Sequence, residues 1–199
     1  MPQQFMIGDV DIDFADRSRA LSGLNHVPAA IIRDGKIERH NTGVYFHEMP
    51  TDLLTNLCSI HYEHAEILGC YKFDLLNVHV YEGIKSEDHL VSLMSRELNW
   101  QLLQYPEFAS QLIHVSNHTQ LLSQLKPMSI NDLAMILALI RPGKRHLIQR
   151  CADRGFNSIK DEIWADSPGS GYAFKHAHAT SYAMLVKVHA NLIIEQLPT

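Results

Sequence analysis

Apolar and polar residues alternate with a period of two near the start of the chain. The segment DVDIDF, residues 9–14, places valine, isoleucine and phenylalanine on one side of an extended chain and aspartates on the other. Successive side chains of a strand point to opposite faces. The pattern therefore predicts a half-buried β-strand over Phe5–Phe14 with a carboxylate face.

Further strand signals follow within the first 85 residues. Ala29–Arg33 is a short apolar strand, and Asp34-Gly35 is a typical hairpin turn. Gly43–His47 is predicted to be the returning strand. A second apolar run, Glu66–Val80, contains one acidic residue inside its most hydrophobic part, Asp74.

After Ser86 the apolar positions recur at spacings of three and four, which indicates amphipathic helices. Helices are predicted over Ser86–Gln104, from Pro106, from Asn117 to Leu125, from Ser129 to Arg141 and from about His178 to Glu195. The expected fold class is therefore α+β, with a small sheet in residues 1–85 and a helical region in residues 86–199.

Composition narrows the class of protein. The 199 residues are 46% hydrophobic and 20% charged, with a formal net charge of −5. A protein that wraps long duplex DNA alone usually has a basic excess, so we expect any DNA contact to be local, metal-assisted or helped by a partner. The odd number of cysteines, three, argues against a disulfide framework and favours a reducing cytoplasm. The apolar runs are too short for a membrane span, and the acidic N-terminus does not resemble a signal peptide.

The aspartates of the first strand are the strongest candidates for chemistry. Asp11 and Asp13 lie two residues apart in a predicted strand, so their side chains share one face. Two close carboxylates repel each other unless a proton or a cation lies between them, and Mg²⁺ or Mn²⁺ prefers oxygen ligands. Asp74 is the candidate third ligand. Alternating acids also occur on the solvent face of an ordinary edge strand, and the D-x-D spacing alone favours that alternative.

Five segments of the chain resemble the alpha subunit of bacterial DNA polymerase III, the C-family replicative polymerases. GDVDIDFADR (Gly8–Arg17) is similar to the family's P-D-x-D-x-D-F segment, and ILGCYKFDLLNVHVYEGI (Ile67–Ile84) to the stretch that contains its third catalytic aspartate. Arg33–Phe46 resembles its K-H-A-G-G region. Leu121–Arg145 resembles its L-K-P to R-P-G segment, and Gly171–Leu185 its G-Y-x-F motif. The order is the same as in the family.

The resemblance implies a small polymerase beta-like nucleotidyltransferase palm sheet, followed by a helical, fingers-like half. Asp11, Asp13 and Asp74 match the family's catalytic, metal-binding aspartates, which implies two Mg²⁺ or Mn²⁺ ions as cofactors. The implied partners are a DNA primer-template and a deoxynucleotide triphosphate.

The resemblance also assigns residues to nucleotide or phosphate binding. These residues are Lys72, Arg39, His40, Arg141 and His178. Lys72 lies two residues before Asp74, so a simple ion pair between the two side chains is an alternative to a phosphate contact.

Four further assignments have an alternative. Arg141 could instead stabilise the end of the preceding helix through the helix dipole. Lys144 belongs to a small basic patch after that helix, which is either a phosphate contact or a solvated face. Tyr172 and Tyr182 match positions near the primer-template, where they could stack on bases, but they could equally be core aromatics.

The chain also departs from the family pattern. The sequence begins just before the D-x-D, without the upstream Gly-Ser-rich segment that helps to hold the triphosphate, and the region before the last motif is short. The K-H-A-G-G loop is R-H-N-T-G here. We therefore expect a reduced catalytic core, such as a phage or mobile-element product or one part of a split enzyme, with a protein partner supplying missing parts.

Three functions are consistent with these features. The first is metal-dependent nucleotidyl transfer on DNA by a miniature polymerase core. The second is a catalytically silent relative that binds DNA or a replication protein as an accessory or regulator. The third is a different phosphotransfer reaction that uses the same aspartates.

Overall fold

The structure, a computed structural model, describes residues 10–165 and 174–197, with only the backbone of Val10. The chain divides into two compact units, Met1–Gly83 and Ile84–Thr199. The sequence pattern placed this division after residue 85. The predicted strand residues before Val10, the loop at 167–171 and Tyr172 lie outside the described residues. The fold class is α+β, as predicted.

The first unit is built on a small mixed sheet. Its described strands are β1 (Val10–Phe14), β2 (Val27–Arg33), β3 (Lys36–Tyr45) and β4 (Phe73–Asn77). Their order in the sheet is β1-β4-β3-β2. β1 and β4 are parallel, whereas β3 pairs in antiparallel fashion with both of its neighbours.

The β2–β3 hairpin confirms the predicted turn and corrects the predicted returning strand. Asp34 and Gly35 both have positive φ, 50° and 75°, as a tight hairpin turn requires. β3 begins immediately after the turn, at Lys36, and not at Gly43. The error has a simple cause, because the first residues of β3 are largely polar and exposed and so lack the apolar signal of a buried strand.

Short helices cover the two faces of this sheet. Helix α1 (Arg17–Leu21) places Leu21 in a cluster with Val44 and Leu75. Helix α2 (Tyr62–Ile67) belongs to a different cluster, which contains Tyr45 and lies on the other face because adjacent strand residues alternate. No pattern in the sequence predicted α2. A 3₁₀ helix, His79–Gly83, follows β4.

The second unit is helical. Its described α-helices are α3 (Glu87–Ser95), α4 (Pro106–Ala109), α5 (Thr119–Leu125), α6 (Ile130–Leu139), α7 (Ile148–Arg154), α8 (Lys160–Ile163) and α9 (His176–Gln196). Short 3₁₀ helices occur at Trp100–Gln104, Ser116–His118, Pro142–Leu147 and Phe156–Ser158. No helix in the described parts of the chain has the length and apolarity needed to cross a membrane.

Two of the predicted helix starts are confirmed. Ser86 and Ser129 are N-caps, each accepting a backbone N–H at 3.1 Å from the residue three positions later, and α6 behind Ser129 is buried from Leu133 to Leu139. The predicted helix Ser86–Gln104 is instead α3 followed by a 3₁₀ helix. Asn117 lies within a 3₁₀ helix and is not the N-cap of α5.

Glu195 joins the end of α9 to α3 and its flanking residues. Its carboxylate accepts hydrogen bonds from Lys85 Nζ at 3.1 Å, His89 Nε2 at 3.3 Å and Arg96 Nη2 at 3.4 Å. Hydrogen bonds from Lys85 and His89 lower the pKa of Glu195 below its ordinary value. The carboxylate therefore contributes stability above its ordinary pKa, and this contribution is lost as the pH falls through the lowered pKa.

We expect Glu195→Gln to lower the denaturant midpoint at pH 7, because the substitution removes the negative charge that pairs with Lys85 and Arg96. The difference from wild type should shrink only as the pH falls through the lowered pKa of Glu195, because the wild-type carboxylate is itself protonated below that pKa. Glu107→Gln, at an exposed position of α4, is the control. A Glu195→Gln effect that is the same at all pH values would contradict the charge-based explanation.

Candidate functional site: a carboxylate face beside a lysine–aspartate pair

The register of β1 and β4 brings the predicted aspartates onto one face of the sheet. Asp11 is directly opposite Asp74 in the parallel ladder, and Asp13 lies two residues further along β1. Directly paired residues on adjacent strands point to the same side, and so do residues two apart on one strand. The carboxylates of Asp11, Asp13 and Asp74 therefore arise from the same face, on adjoining strands about 4.8 Å apart.

Asp74 is held by two neighbouring side chains. Thr42 Oγ1 donates a hydrogen bond to Asp74 Oδ1 at 2.7 Å, and the Lys72 ammonium forms a hydrogen-bonded ion pair with Oδ2. Burial alone would raise the pKa of Asp74, but the hydrogen bonds from Lys72 and Thr42, with the charge of Lys72, outweigh burial and lower that pKa. Asp74 is therefore a stably ionised, partly buried carboxylate.

His40 orders the backbone beside this pair. Its Nδ1 accepts the N–H of Gly43 at 2.9 Å, so this nitrogen carries a lone pair and not a proton. Burial, followed by the charge of Lys72, lowers the pKa of His40, which favours the neutral ring. The 3.8 Å separation between His40 Nδ1 and Asp74 Oδ1 is consequently not an ion pair. The His40 ring packs edge-on against Tyr62, with centroids 4.9 Å apart.

Gly43 leaves the space that the Lys72 side chain crosses. Gly43 is opposite Asp74 in the β3–β4 ladder. A Cβ atom at this position would lie 2.8 Å from Lys72 Cδ and 3.0 Å from both Ala29 Cβ and His40 Nδ1. A glycine at position 43 therefore allows the lysine stem to pass close to β3 on its way to Asp74.

Two residues that the sequence analysis missed shape the same region. Thr42 is one of the two hydrogen-bond donors to Asp74. Arg17 donates from Nη1 to Asn41 O at 2.9 Å and from Nη2 to Thr42 O at 3.1 Å. Burial lowers the pKa of Arg17, and the charge of nearby Arg39 adds to this effect. No spacing or composition signal marks either Arg17 or Thr42, because both act through contacts distant in sequence.

Asp13 contacts the 3₁₀ helix that follows β4. Tyr81 Oη donates a hydrogen bond to Asp13 Oδ2 at 3.4 Å. Burial, followed by the charge of Asp13 and this hydrogen bond, raises the pKa of Tyr81. Asp13 is thus only partly exposed, whereas Asp11 is exposed.

The carboxylate oxygens of Asp11, Asp13 and Asp74 are chemically suitable ligands for a hard divalent cation. Carboxylate oxygens on one face are the ligand type that Mg²⁺ and Mn²⁺ prefer. Within residues 10–165 and 174–197, however, no three His, Cys, Asp or Glu side chains are arranged as a ready metal-binding group. The Asp74 carboxylate is directed towards Lys72 and Thr42. A cation at these aspartates would therefore require the Asp74 contacts to change.

Three of the predicted residues of the helical unit, Arg141, His178 and Tyr182, lie in a cluster of aromatic rings. The Arg141 guanidinium lies over the Phe174 ring at 4.5 Å from its centroid. His178 and Tyr182 have ring centroids 4.3 Å apart, and Tyr182 also stacks on His114 at 4.3 Å. Arg141 is exposed, so its side chain remains accessible to a ligand. Phe174 is buried.

Lys144 lies in the interior of the helical unit, where it links two segments of the chain. Its side chain is buried, and its Nζ donates hydrogen bonds to the carbonyl oxygens of Glu162 at 2.7 Å and Ala165 at 2.6 Å. These bonds join the 3₁₀ helix Pro142–Leu147 to the end of α8. The exposed basic patch expected from the sequence does not include this ammonium, and phosphate binding by Lys144 has no support from its surroundings.

No protein-family model matches this chain, and searches of curated proteins and of solved structures gave no significant similarity. The residues and their geometry, together with the motif resemblance, are therefore the basis for inferring a function.

We expect Thr42→Val to raise the pKa of Asp74 towards its ordinary value, because the hydroxyl that stabilises the carboxylate is lost. The loss of stability should be about 1.5–3 kcal/mol, the usual range for a hydrogen bond to a charged group. A ¹³C NMR titration of the Asp74 carboxyl measures the shift, and Thr42→Ser, which keeps the hydroxyl, is the control. An unchanged Asp74 pKa in Thr42→Val would contradict the assigned hydrogen bond.

Gly43→Ala should destabilise the protein by about 1–3 kcal/mol, the usual cost of forcing an added group into a packed site. Its Cβ would meet Lys72, Ala29 and His40. Gly23→Ala is the matched control, because a Cβ at Gly23 has no atom within 4 Å. Urea denaturation compares both variants with wild type, and equal stability of the two variants would show that the close packing at Gly43 is absent.

Proposed function

We propose that this protein catalyses metal-dependent nucleotidyl transfer on DNA, with Asp11, Asp13 and Asp74 as the carboxylates that bind two Mg²⁺ or Mn²⁺ ions. The observation that supports this proposal most strongly is the β1–β4 register, in which Asp11 and Asp74 are direct neighbours and Asp13 shares their face. The resemblance of the surrounding segments to the polymerase III alpha palm supports it independently. When bound, such cations supply positive charge at the attacking and leaving oxygens of a phosphoryl transfer.

The neighbouring side chains have distinct roles in this proposal. Thr42 and Lys72 hold Asp74 ionised and fix its orientation. Lys72 and Arg39 are the cations of this unit that would contact substrate phosphates, since a guanidinium or an ammonium pairs readily with phosphate oxygens. His40, whose Nδ1 accepts the Gly43 N–H, keeps the β3 backbone in place. Because its ring is neutral, it adds no positive charge to the binding of substrate phosphates.

The proposed substrates are a DNA primer-template and a deoxynucleotide triphosphate. With a net charge of −5, the protein would contact DNA locally and through the bound cations, and not by a broad basic surface. Arg141, His178 and Tyr182 are assigned to the nucleotide and primer-template by the motif resemblance. The protein partner that supplies missing polymerase parts is a component of the same proposal.

A second candidate function is supported by the Lys72–Asp74 pair. The described residues include no ready group of metal ligands, and both Asp74 oxygens accept hydrogen bonds from within the chain. A relative in which this lysine permanently replaces the cation would be catalytically silent. Such a protein would act as an accessory or regulator that binds DNA or a replication protein.

Mn²⁺ binding followed by electron paramagnetic resonance, together with primer extension by all four deoxynucleotides, tests the proposal. We expect wild type to bind Mn²⁺, and Asp11→Asn and Asp74→Asn to bind it at least about tenfold more weakly, because each loses a charged ligand. Asp34→Asn, in the exposed β2–β3 turn, is the matched control and should bind as wild type does.

The two measurements separate the candidate functions. Mn²⁺ binding that depends on the aspartates, with primer extension, supports the polymerase-like activity. Aspartate-dependent binding without extension contradicts the DNA substrate and favours a different phosphotransfer. The absence of both binding and extension contradicts the enzyme proposal and favours the catalytically silent accessory protein.

A further inference from the structure

The Lys72 ammonium and the Thr42 hydroxyl together occupy both oxygens of Asp74. Lys72 pairs with Oδ2, while Thr42 donates to Oδ1 at 2.7 Å. Only 7% of the Lys72 side chain and 13% of the Asp74 side chain remain exposed. The pair therefore lies largely out of water, where an ion pair is screened much less than on an open surface.

The strand geometry and the close approach to Gly43 determine where the Lys72 side chain lies. Lys72 and Asp74 are two residues apart, so their side chains leave the extended chain on the same side. The Lys72 stem crosses the space above Gly43, where a Cβ would lie only 2.8 Å from Lys72 Cδ. The ammonium thus reaches Asp74 along a defined path over β3.

A second position for the ammonium lies next to the pair. Lys72 Nζ is 5.8 Å from the centroid of the Tyr62 ring, which is within the range of a cation–π contact. Tyr62 packs against His40, whose Nδ1 accepts the Gly43 N–H and therefore carries no proton. An ammonium that leaves Asp74 consequently has an attractive surface close by.

A divalent cation and an ammonium cannot both occupy Asp74 Oδ2, because their charges repel at contact distance and only one of them can be the direct partner of that oxygen. We propose that Lys72 is an internal competitor for the cation at Asp74: it neutralises this carboxylate until a divalent cation displaces it towards Tyr62. This inference rests on the proposed function, since it concerns the same carboxylates. It goes further in assigning Lys72 a role that opposes cation binding in the substrate-free protein.

The displaced ammonium then has a second use. Once it has left Asp74, its charge is available to a phosphate group of the substrate beside the cation. Lys72 would therefore weaken cation binding before substrate arrives and strengthen phosphate binding afterwards. If Lys72 only positioned Asp74, its removal would loosen the carboxylate and weaken the binding of the cation.

Mn²⁺ titration of the nucleotide-free full chain, followed by electron paramagnetic resonance, tests this inference with Lys72→Met. We expect Mn²⁺ to bind roughly tenfold more tightly to Lys72→Met than to wild type, because the competing charge is gone. Lys36→Met, at an exposed position of the β2–β3 hairpin, removes the same net charge and should leave the affinity unchanged. Thermal melts of both variants confirm folding.

Lys72→Arg provides a second test in the opposite direction. A guanidinium pairs with a carboxylate through two parallel hydrogen bonds and keeps its charge, so it should compete more strongly, and Mn²⁺ should bind more weakly than to wild type. This variant retains the ion pair and therefore remains informative if Lys72→Met does not fold.

The outcomes distinguish this inference from the proposed function. Wild-type binding with unchanged or weaker binding by Lys72→Met overturns the competitor role and leaves the metal site in place. Binding by Lys72→Met alone supports the competitor role and identifies the wild-type chain as the silent form. No Mn²⁺ binding by wild type, Lys72→Met or Lys36→Met contradicts the proposed metal site itself.

Discussion

The parallel pairing of β1 with β4 is the constraint on which the candidate site depends. The two strands are about 60 residues apart in sequence, and the β2–β3 hairpin and α2 lie between them in the chain. Their register makes Asp11 the direct neighbour of Asp74. A slip of one residue would move Asp74 to the face that packs against α1, where Leu75 now lies, and would separate the carboxylates.

The Lys72–Asp74 pair shows how a sheet can hold a partly buried carboxylate without a bound ion. Burial disfavours the charge on Asp74, and the hydrogen bonds from Lys72 and Thr42 outweigh that penalty. The same contacts make the carboxylate less available to an external cation, so stability of the site and affinity for a metal are opposed. The glycine at position 43 is part of this arrangement, because any larger residue would meet the lysine stem.

Local signals predicted much of the fold. The alternation around Asp11 and Asp13, the Asp34-Gly35 turn and the serine caps of α3 and α6 each depend on neighbours within a few residues, and the structure contains all of these elements. The start of β3 and the whole of α2 were missed, because their residues are mostly exposed and their conformation is stabilised by packing against distant strands. The burial of Lys144 was missed for the same reason, since its carbonyl partners lie 18 and 21 residues away.

The sequence alone determined which chemical groups this protein can present and which side of each strand they occupy, because side-chain alternation is a property of the extended backbone. It therefore identified Asp11, Asp13 and Asp74 as candidate ligands, and the motif resemblance added Lys72. Only the tertiary structure decided that Asp11 lies beside Asp74, that Thr42 and Lys72 hold that carboxylate, and that His40 is a neutral acceptor. These facts depend on strand order and burial, which arise from contacts between distant segments and leave no local pattern in the chain.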